Sequence, residues 1–287
     1  LPRGRPIQDI SVGAVAGMSA GALLGNPWTL AEGIGADYRV RHGKHGDDLV
    51  VRFPTHHPDG TLVSLQLSCH DDGWDGFPAG QNPYVAGESR FAFGYGLLLA
   101  PAVPEFMSGD EFAADFVANP RLAPDLFGKG QPGTGTWLYG SWVQWDQLDD
   151  ERHAKMLADV KRLIVLRRRF SHLIRPLEIG KGLGSFVLFD AFAPRTMPAP
   201  YGYCDEETLL IVAGNPYERD RPSVTVDVPW KSVPLRSAER YELTDLWNEN
   251  QSRRSLRRGQ SVDLEVAPDR RPHGGVGLWM ITPTGEE

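Results

Sequence analysis

The spacing of apolar and polar positions divides the chain into two parts with different rhythms. From residue 176 onward, short apolar runs recur at 186–189, 209–213, 224–228, 240–243, 262–266 and 276–281, separated by Gly, Pro and Asn. Runs of this length and spacing predict the strands of an antiparallel β-sandwich. Before residue 176 the rhythm is mixed. Residues 48–53 and 62–67 are rich in β-branched and apolar side chains and predict strands, the second entered through an Asp59-Gly60 turn. Residues 90–100 predict a buried helix in spite of two glycines, stopped by Pro101, and residues 103–107 a short buried strand. Residues 41–46 and 118–140 read as polar loops. The clearest helix follows them. Asp149, Asp150 and Glu151 sit at its start, Arg167, Arg168 and Arg169 at its end, and Met156, Val160, Leu163 and Ile164 share one face between. A boundary near residues 173–176 gives two domains, 1–175 and 176–287. No internal repeat or low-complexity segment interrupts either.

Strand alternates with helix in the first part, as in the last turns of a parallel α/β structure. In such a structure functional groups collect where strands end and loops begin. Composition narrows the setting. Of 287 residues 41% are hydrophobic and 23% charged, which is globular composition. A net charge of −7 argues against nucleic acid and anionic membrane surfaces as partners. The longest apolar stretch, residues 12–24, is rich in Gly, Ala and Ser and falls short of the ~20 residues that span a bilayer. Cys69 and Cys204 are the only cysteines, too few for a disulfide framework or a four-ligand zinc site. No cofactor or metal is implied. Leu1 in place of an initiator Met, with no signal-peptide core after it, predicts a processed product or a piece of something longer.

The leading candidate site is Ser68-Cys69-His70-Asp71-Asp72-Gly73-Trp74-Asp75, just after the strand at 62–67. A His and a carboxylate leaving a buried strand together suit adjacent sugar hydroxyls, each both donor and acceptor. A carboxylate there also suits an oxocarbenium-like transition state, and Trp74 a stacked sugar ring. The same residues also suit an ordinary capped turn.

Motif order extends the reading. Leu65-Gln-Leu-Ser-Cys-His70-Asp71, then residues 90–111 ending in Ser108-Gly109-Asp110-Glu111, resemble the end of an α-amylase-type barrel. In that clan the seventh strand ends in Asn-His-Asp, and the eighth leads into Gly-Asp-Glu or Gly-Glu-Glu. Residues 142–168 are similar to the clan's last barrel helix and the segment before it. Leu209-Leu-Ile-Val-Ala-Gly-Asn-Pro, Tyr241-Glu-Leu-Thr-Asp-Leu-Trp247 and Gly275-Val-Gly-Leu-Trp279 are similar to its C-terminal sandwich. The resemblance covers about residues 62–283. It implies the closing part of a (β/α)8 barrel followed by an antiparallel β-sandwich, acting on oligo- or polysaccharide by hydrolysis or transfer. On it Asp71 is the transition-state-stabilising carboxylate and His70 binds substrate hydroxyls; Asp72 and Trp74, in the same loop, are the further substrate-binding candidates. Asp110 and Glu111 form a supporting acidic pair. Cys69 stands where the clan has Asn.

The clan's nucleophile and acid/base lie upstream of the His-Asp motif. Here the only Glu among residues 1–69 is Glu32, and no Arg-x-Asp nucleophile motif precedes His70. A retaining mechanism needs two flanking carboxyl groups. An upstream segment or companion chain completing the barrel is therefore expected. A carbohydrate-binding or regulatory protein that has lost catalysis is the alternative. A third reading takes Gly17-Met18-Ser19-Ala20-Gly21 as a serine-hydrolase elbow with Ser19 as nucleophile. The pattern is short, and neither Asp59-Gly60-Thr61 nor Asp72-Gly73-Trp74 supplies the partner Asp motif of patatin-like lipases. His42, His45, His56 and His57 read as solvated loop residues, since their intervals suit no usual ligand spacing. Arg253, Arg254, Arg257 and Arg258 read as a solvated turn between strands. Trp137, Trp142 and Trp145 suit either sugar stacking or packing beneath the helix.

Overall fold

A computed structural model describes residues 7–8, 37–43, 46–52, 60, 62–66, 90–106, 108–114, 116–118, 141–178, 181, 183–189, 191–192, 200–215, 223–248, 252–268 and 273–285. Its first elements are β1 (Ile7–Gln8), β2 (Asp37–Gly43), β3 (Gly46–Arg52) and β4 (Leu62–Gln66). Next come α1 (Arg90–Phe93), extended by a wide π-type turn over Gly94–Leu98, and β5 (Val103–Glu105). β6 (Phe116–Ala118) and β7 (Ser141–Val143) lead to the long helix α2 (Glu151–Arg169). The remainder is strand: β8 (Phe186–Leu188), β9 (Ala191–Phe192), β10 (Tyr201–Cys204), β11 (Leu209–Gly214), β12 (Ser223–Val226), β13 (Arg240–Asp245), β14 (Arg253–Arg257), β15 (Val262–Glu265) and β16 (Val276–Thr284).

β1, β4 and β5 form a three-stranded parallel sheet in which Ser64, Leu65 and Gln66 face Val103, Pro104 and Glu105. Parallel neighbours need a crossover, and α1 with its π-type turn supplies it. A closed barrel is not seen among the described residues. The second part is a sandwich of a six-stranded sheet, in the order β14-β13-β16-β11-β10-β8, and a three-stranded sheet, β15-β12-β9. Every described pairing in these two sheets is antiparallel.

The six-stranded sheet has cover on both faces, which explains the unbroken apolar run of β11. Alternate side chains along a strand point to opposite faces. Leu210 and Val212 join a core with α1, the π-type turn, α2 and Tyr201, Tyr203 and Leu278. Leu209, Ile211 and Ala213 join a second core with Val224, Val226, Val262, Leu264 and Ile281. β16 sorts in the same way, Leu278 to the helices and Trp279 and Ile281 to the small sheet.

Helices reach this sheet closely only where glycine permits. A Cβ at Gly94 would stand 2.6 Å from Cγ1 of Val276, and one at Gly214 would stand 2.5 Å from the ring of Phe91. The π-type turn leaves carbonyls without regular helical partners. Side chains from elsewhere fill the gap. Tyr201 Oη donates to the Tyr95 carbonyl at 2.6 Å and Tyr203 Oη to that of Leu99 at 2.5 Å. Arg167, in the last turn of α2, donates to the carbonyls of Leu98 and Ala100 at 2.6 and 3.0 Å and also to that of Ala102. Burial pushes the phenols of Tyr95, Tyr201 and Tyr203 up and holds the Arg167 guanidinium below its ordinary value.

Several sequence expectations are corrected. Residues 41–43 are not loop: they belong to β2, which pairs antiparallel with β3, so His42 lies on a strand. The run 253–257 is not a turn but β14, the edge strand beside β13, held by one inward apolar residue, the buried Leu256. The edge charges suit a strand that must not recruit another. Of the four arginines only Arg258 lies in the turn that follows, and it is not simply solvated, since it donates to Tyr241 Oη and to the Trp230 carbonyl. The strand at 103–107 ends at Glu105, and β10, with Gly202 at its centre, was not expected. Among the described residues no helix is long and apolar enough to cross a membrane.

Candidate site at the strand ends

The parallel pair β4–β5 sets the geometry. Gln66 and Glu105 are register partners at the C-terminal ends of their strands, so the chain leaves both strands side by side. After β5 it runs toward Gly109. The other end of β4 is tied down differently. Leu62 makes an antiparallel bridge to Glu178, and the Leu177 amide donates to the Pro101 carbonyl at 2.8 Å. The connection into the sandwich thus lies at the N-terminal ends of these strands, opposite Gln66 and Glu105.

Beyond β5 a tight 3-10 turn, Asp110–Phe112, holds the acidic pair. Gly109 has φ 102°, a left-handed conformation natural to glycine, and its carbonyl accepts from the amides of Phe112 and Ala114. Its own amide donates to Glu111 Oε2 at 2.7 Å. Asp110 is fully buried. Ala113 takes φ 53°, unusual for a residue with a Cβ. The start of α2 locks this turn. Asp150 caps the helix by accepting from the Arg152 amide at 2.8 Å, and His153, buried in the first turn, sets Nδ1 2.7 Å from the Phe112 carbonyl. α2 therefore begins beside the acidic turn and ends beside residues 98–102, running back along β5 as a strand–helix unit requires.

A second buried cluster fixes the far side of α2. The Asp159 carboxylate takes Arg90 Nε and the His273 amide on Oδ2, and lies 2.6 Å from His273 Nδ1 through Oδ1. Arg90 and Asp159 are both about 99% removed from solvent, which only a matched pair tolerates. Trp247 Nε1 donates to the His273 carbonyl at 2.8 Å, and the Arg162 guanidinium lies 5.1 Å from the Trp247 ring centre. Arg90 and Asp159 lie inside the packing with His273 at its edge, so the cluster is a brace.

Of the residues expected to act, Asp110 and Glu111 are brought together on the turn. His70, Asp71, Asp72 and Trp74 lie outside the described residues, as do Cys69, Ser19, His45, His56, His57 and Trp137. His70 is four positions past the end of β4. Trp145 is 57% exposed, with its ring 5.4 Å from that of Phe112. Packing beneath the helix therefore does not account for it, and it stands beside the acidic turn. Sequence reasoning missed the Arg90–Asp159–His273 cluster, since the partners are far apart along the chain. The only hint was an arginine opening a wholly apolar segment. Cys204 is free and buried, and burial pushes its thiol up to about 12.

No family model matches the chain, and no curated protein matches it. Its backbone is similar to that of an Anoxybacillus alpha-amylase, with TM-score 0.45 and 16% identity over 79% of this chain and 39% of that one. It is similar also to an alpha-amylase from Geobacillus thermoleovorans complexed with acarbose, with TM-score 0.47 and 13% identity over 78% and 40%. A cyclomaltodextrin glucanotransferase with a three-domain ABC distribution gives TM-score 0.41 and 12% identity over 78% and 37%. The chain spans about two fifths of the length of these solved structures.

Proposed function

We propose that this chain is part of a carbohydrate-active protein of the α-amylase type, a glycoside hydrolase or transglycosidase. The observation that carries the reading is the parallel β4–β5 pair, whose C-terminal ends emerge together. One strand leads to His70-Asp71 and the other to Asp110-Glu111. In this reading Asp71 stabilises the positive charge that develops on the sugar ring, a role for a fixed carboxylate in a site that excludes water. His70 and Asp72 hold sugar hydroxyls, and Trp74 stacks on the ring. Glu111, engaged with the Gly109 amide, and buried Asp110 shape the neighbouring turn. A nucleophile and an acid/base come from an upstream segment or companion chain that adds strands to β1-β4-β5 and completes the barrel, with residues 1–175 in it and 176–287 in the sandwich.

The test is turnover of soluble starch by the complete protein, with whatever segment accompanies this chain. Asp71→Asn is expected to lower kcat by about 10²–10³-fold without moving the thermal midpoint. Unchanged turnover in that variant would overturn the assignment. The shortage of carboxylates before His70, with Glu32 the only Glu, supports a second reading: an amylase-shaped binding protein without catalysis. Saccharide binding with no turnover, companion present, would decide for it. Esterase activity abolished by Ser19→Ala would instead move the chemistry to the Gly-Met-Ser-Ala-Gly segment.

A further inference from the structure

β14 and β15 follow one another in sequence but belong to different sheets, so the chain crosses the sandwich in the turn between them. Away from that turn the two sheets part, and a cleft of about 630 Å³ opens between them. Asp245 and Arg254 line it from the larger sheet, with Asn248 just beyond β13, and Asp263 and Glu265 from the smaller, with Trp279 of β16 also in the lining. We propose that this cleft is a second ligand site, distinct from the strand-end site, and that it takes a neutral polyhydroxylated ligand such as a short saccharide.

The walls are polar, and several of their groups are engaged with one another. Asp245 is 7% exposed, and its Oδ1 accepts from the amides of Trp247 and Asn248 while Oδ2 accepts from Asn248 Nδ2. Arg254 reaches across the gap and donates to the Asp263 carbonyl at 3.1 Å, and Asp263 Oδ1 is held by Thr225 Oγ1 at 2.6 Å. Preformed groups lower the cost of ordering on binding. The volume lies within the ~300–1,000 Å³ of small-molecule sites, but the lining is far more polar than an apolar ligand would choose.

Charge and chemistry select the class. Three carboxylates against one guanidinium disfavour an anion. Among the described residues no three His, Cys, Asp or Glu side chains converge as a divalent cation requires. An amine would compete for carboxylates already engaged, Asp245 by the Trp247 and Asn248 amides and the Asn248 side chain, Asp263 by Thr225. A hydroxyl is donor and acceptor at once, so a polyol can use both kinds of group.

The experiment is titration of the full chain, ¹⁵N-labelled, with maltotriose, cellotriose and xylotriose, and with spermidine and inorganic phosphate as competing classes. At least one trisaccharide is expected to shift the Asn248 side-chain amide and the backbone amides of 252–254 and 263–265, with Kd on the order of millimolar. Glu265→Ala, a change at an exposed residue, should weaken this about tenfold, and Ser252→Trp, which fills the cleft, should abolish it. Asp71→Asn should leave it unchanged, which separates this site from the proposed catalytic one. Trisaccharide shifts confined elsewhere, or shifts here only with spermidine or phosphate, would overturn the proposal. So would no response to any of the three sugars while Ser252→Trp keeps the native spectrum.

Discussion

Asp159, in the middle of α2, holds His273 by two contacts, one from the ring Nδ1 at 2.6 Å and one from the backbone amide at 3.1 Å. His273 has φ 57° and lies just before the last strand, so the helix fixes the entry of β16 into the six-stranded sheet. The same carboxylate neutralises buried Arg90 at the start of α1. One side chain therefore joins two helices and the sandwich.

Removing that carboxylate takes the Asp159 charge away from a buried guanidinium. Asp159→Ala is expected to cost about 3–5 kcal/mol, read from the urea unfolding midpoint at constant slope. Replacing both partners, Asp159→Leu with Arg90→Met, should recover part of the loss, because the desolvation penalty disappears with the charges. A cost below about 1 kcal/mol for Asp159→Ala would show that the brace is not structural.

Arg167 makes a different kind of claim. Its guanidinium forks to the carbonyls of Leu98, Ala100 and Ala102, where the π-type turn has ended; the Ala100 carbonyl also accepts from the Ala102 amide at 2.9 Å. A lysine is a point charge and cannot span that set. Arg167→Lys is expected to lose about 1–3 kcal/mol, and amide exchange at 98–102 should quicken more than at the centre of β11. Uniform quickening, or none, would contradict the local role.

Gly94 and Gly96 lie in one turn and should respond with opposite sign. A Cβ at Gly94 meets Val276 at 2.6 Å, whereas at Gly96 the nearest atom, the Phe91 carbonyl oxygen, is 3.9 Å away. Gly94→Ala should therefore destabilise by about 1–3 kcal/mol through overpacking. Gly96→Ala should raise stability by roughly 0.4–1 kcal/mol by restricting the unfolded chain. Thermal midpoints of the two variants decide it, and equal shifts would refute the packing account.

The fold was legible where the signal is local. α2 declared itself through Asp150 at its cap, Glu151 in its first turn and three arginines in its last. β11 and β16 did so through runs that both faces bury. β10 was hidden because Tyr201-Gly-Tyr-Cys is short and its purpose, two hydroxyls donated to a turn over a hundred residues earlier, leaves no local trace. β14 was hidden because arginines on an edge strand have the composition of a turn. At the candidate site, Gly109-Asp110-Glu111 stood out through motif order, as the segment after the strand at 103–107 that resembles the clan's Gly-Asp-Glu. The role of His153 beneath it depends on a contact across 41 positions, which no pattern in either segment announces.

Stability should fall on the alkaline side, and the buried hydroxyls and thiol say why. Burial holds Tyr95, Tyr201 and Tyr203 above their ordinary 10.0 and Cys204 at about 12 instead of 9.0. Above those ordinary values the unfolded chain has released protons that the folded chain still binds. Each further rise in pH then favours unfolding by about 1.4 kcal/mol per pH unit for each such group. The Cys204 contribution is present below pH 9.0 and is lost between 9.0 and about 12, and the tyrosine contributions begin to decline only above 10.0. Urea unfolding at pH 8, 9, 10 and 11 should show little change to pH 9 and then a steepening decline. Tyr201→Phe with Tyr203→Phe lowers stability at pH 8, because two turn carbonyls lose donors, yet flattens the decline above pH 10. A decline of the same slope in that double variant would mean that the alkaline loss arises elsewhere in the molecule.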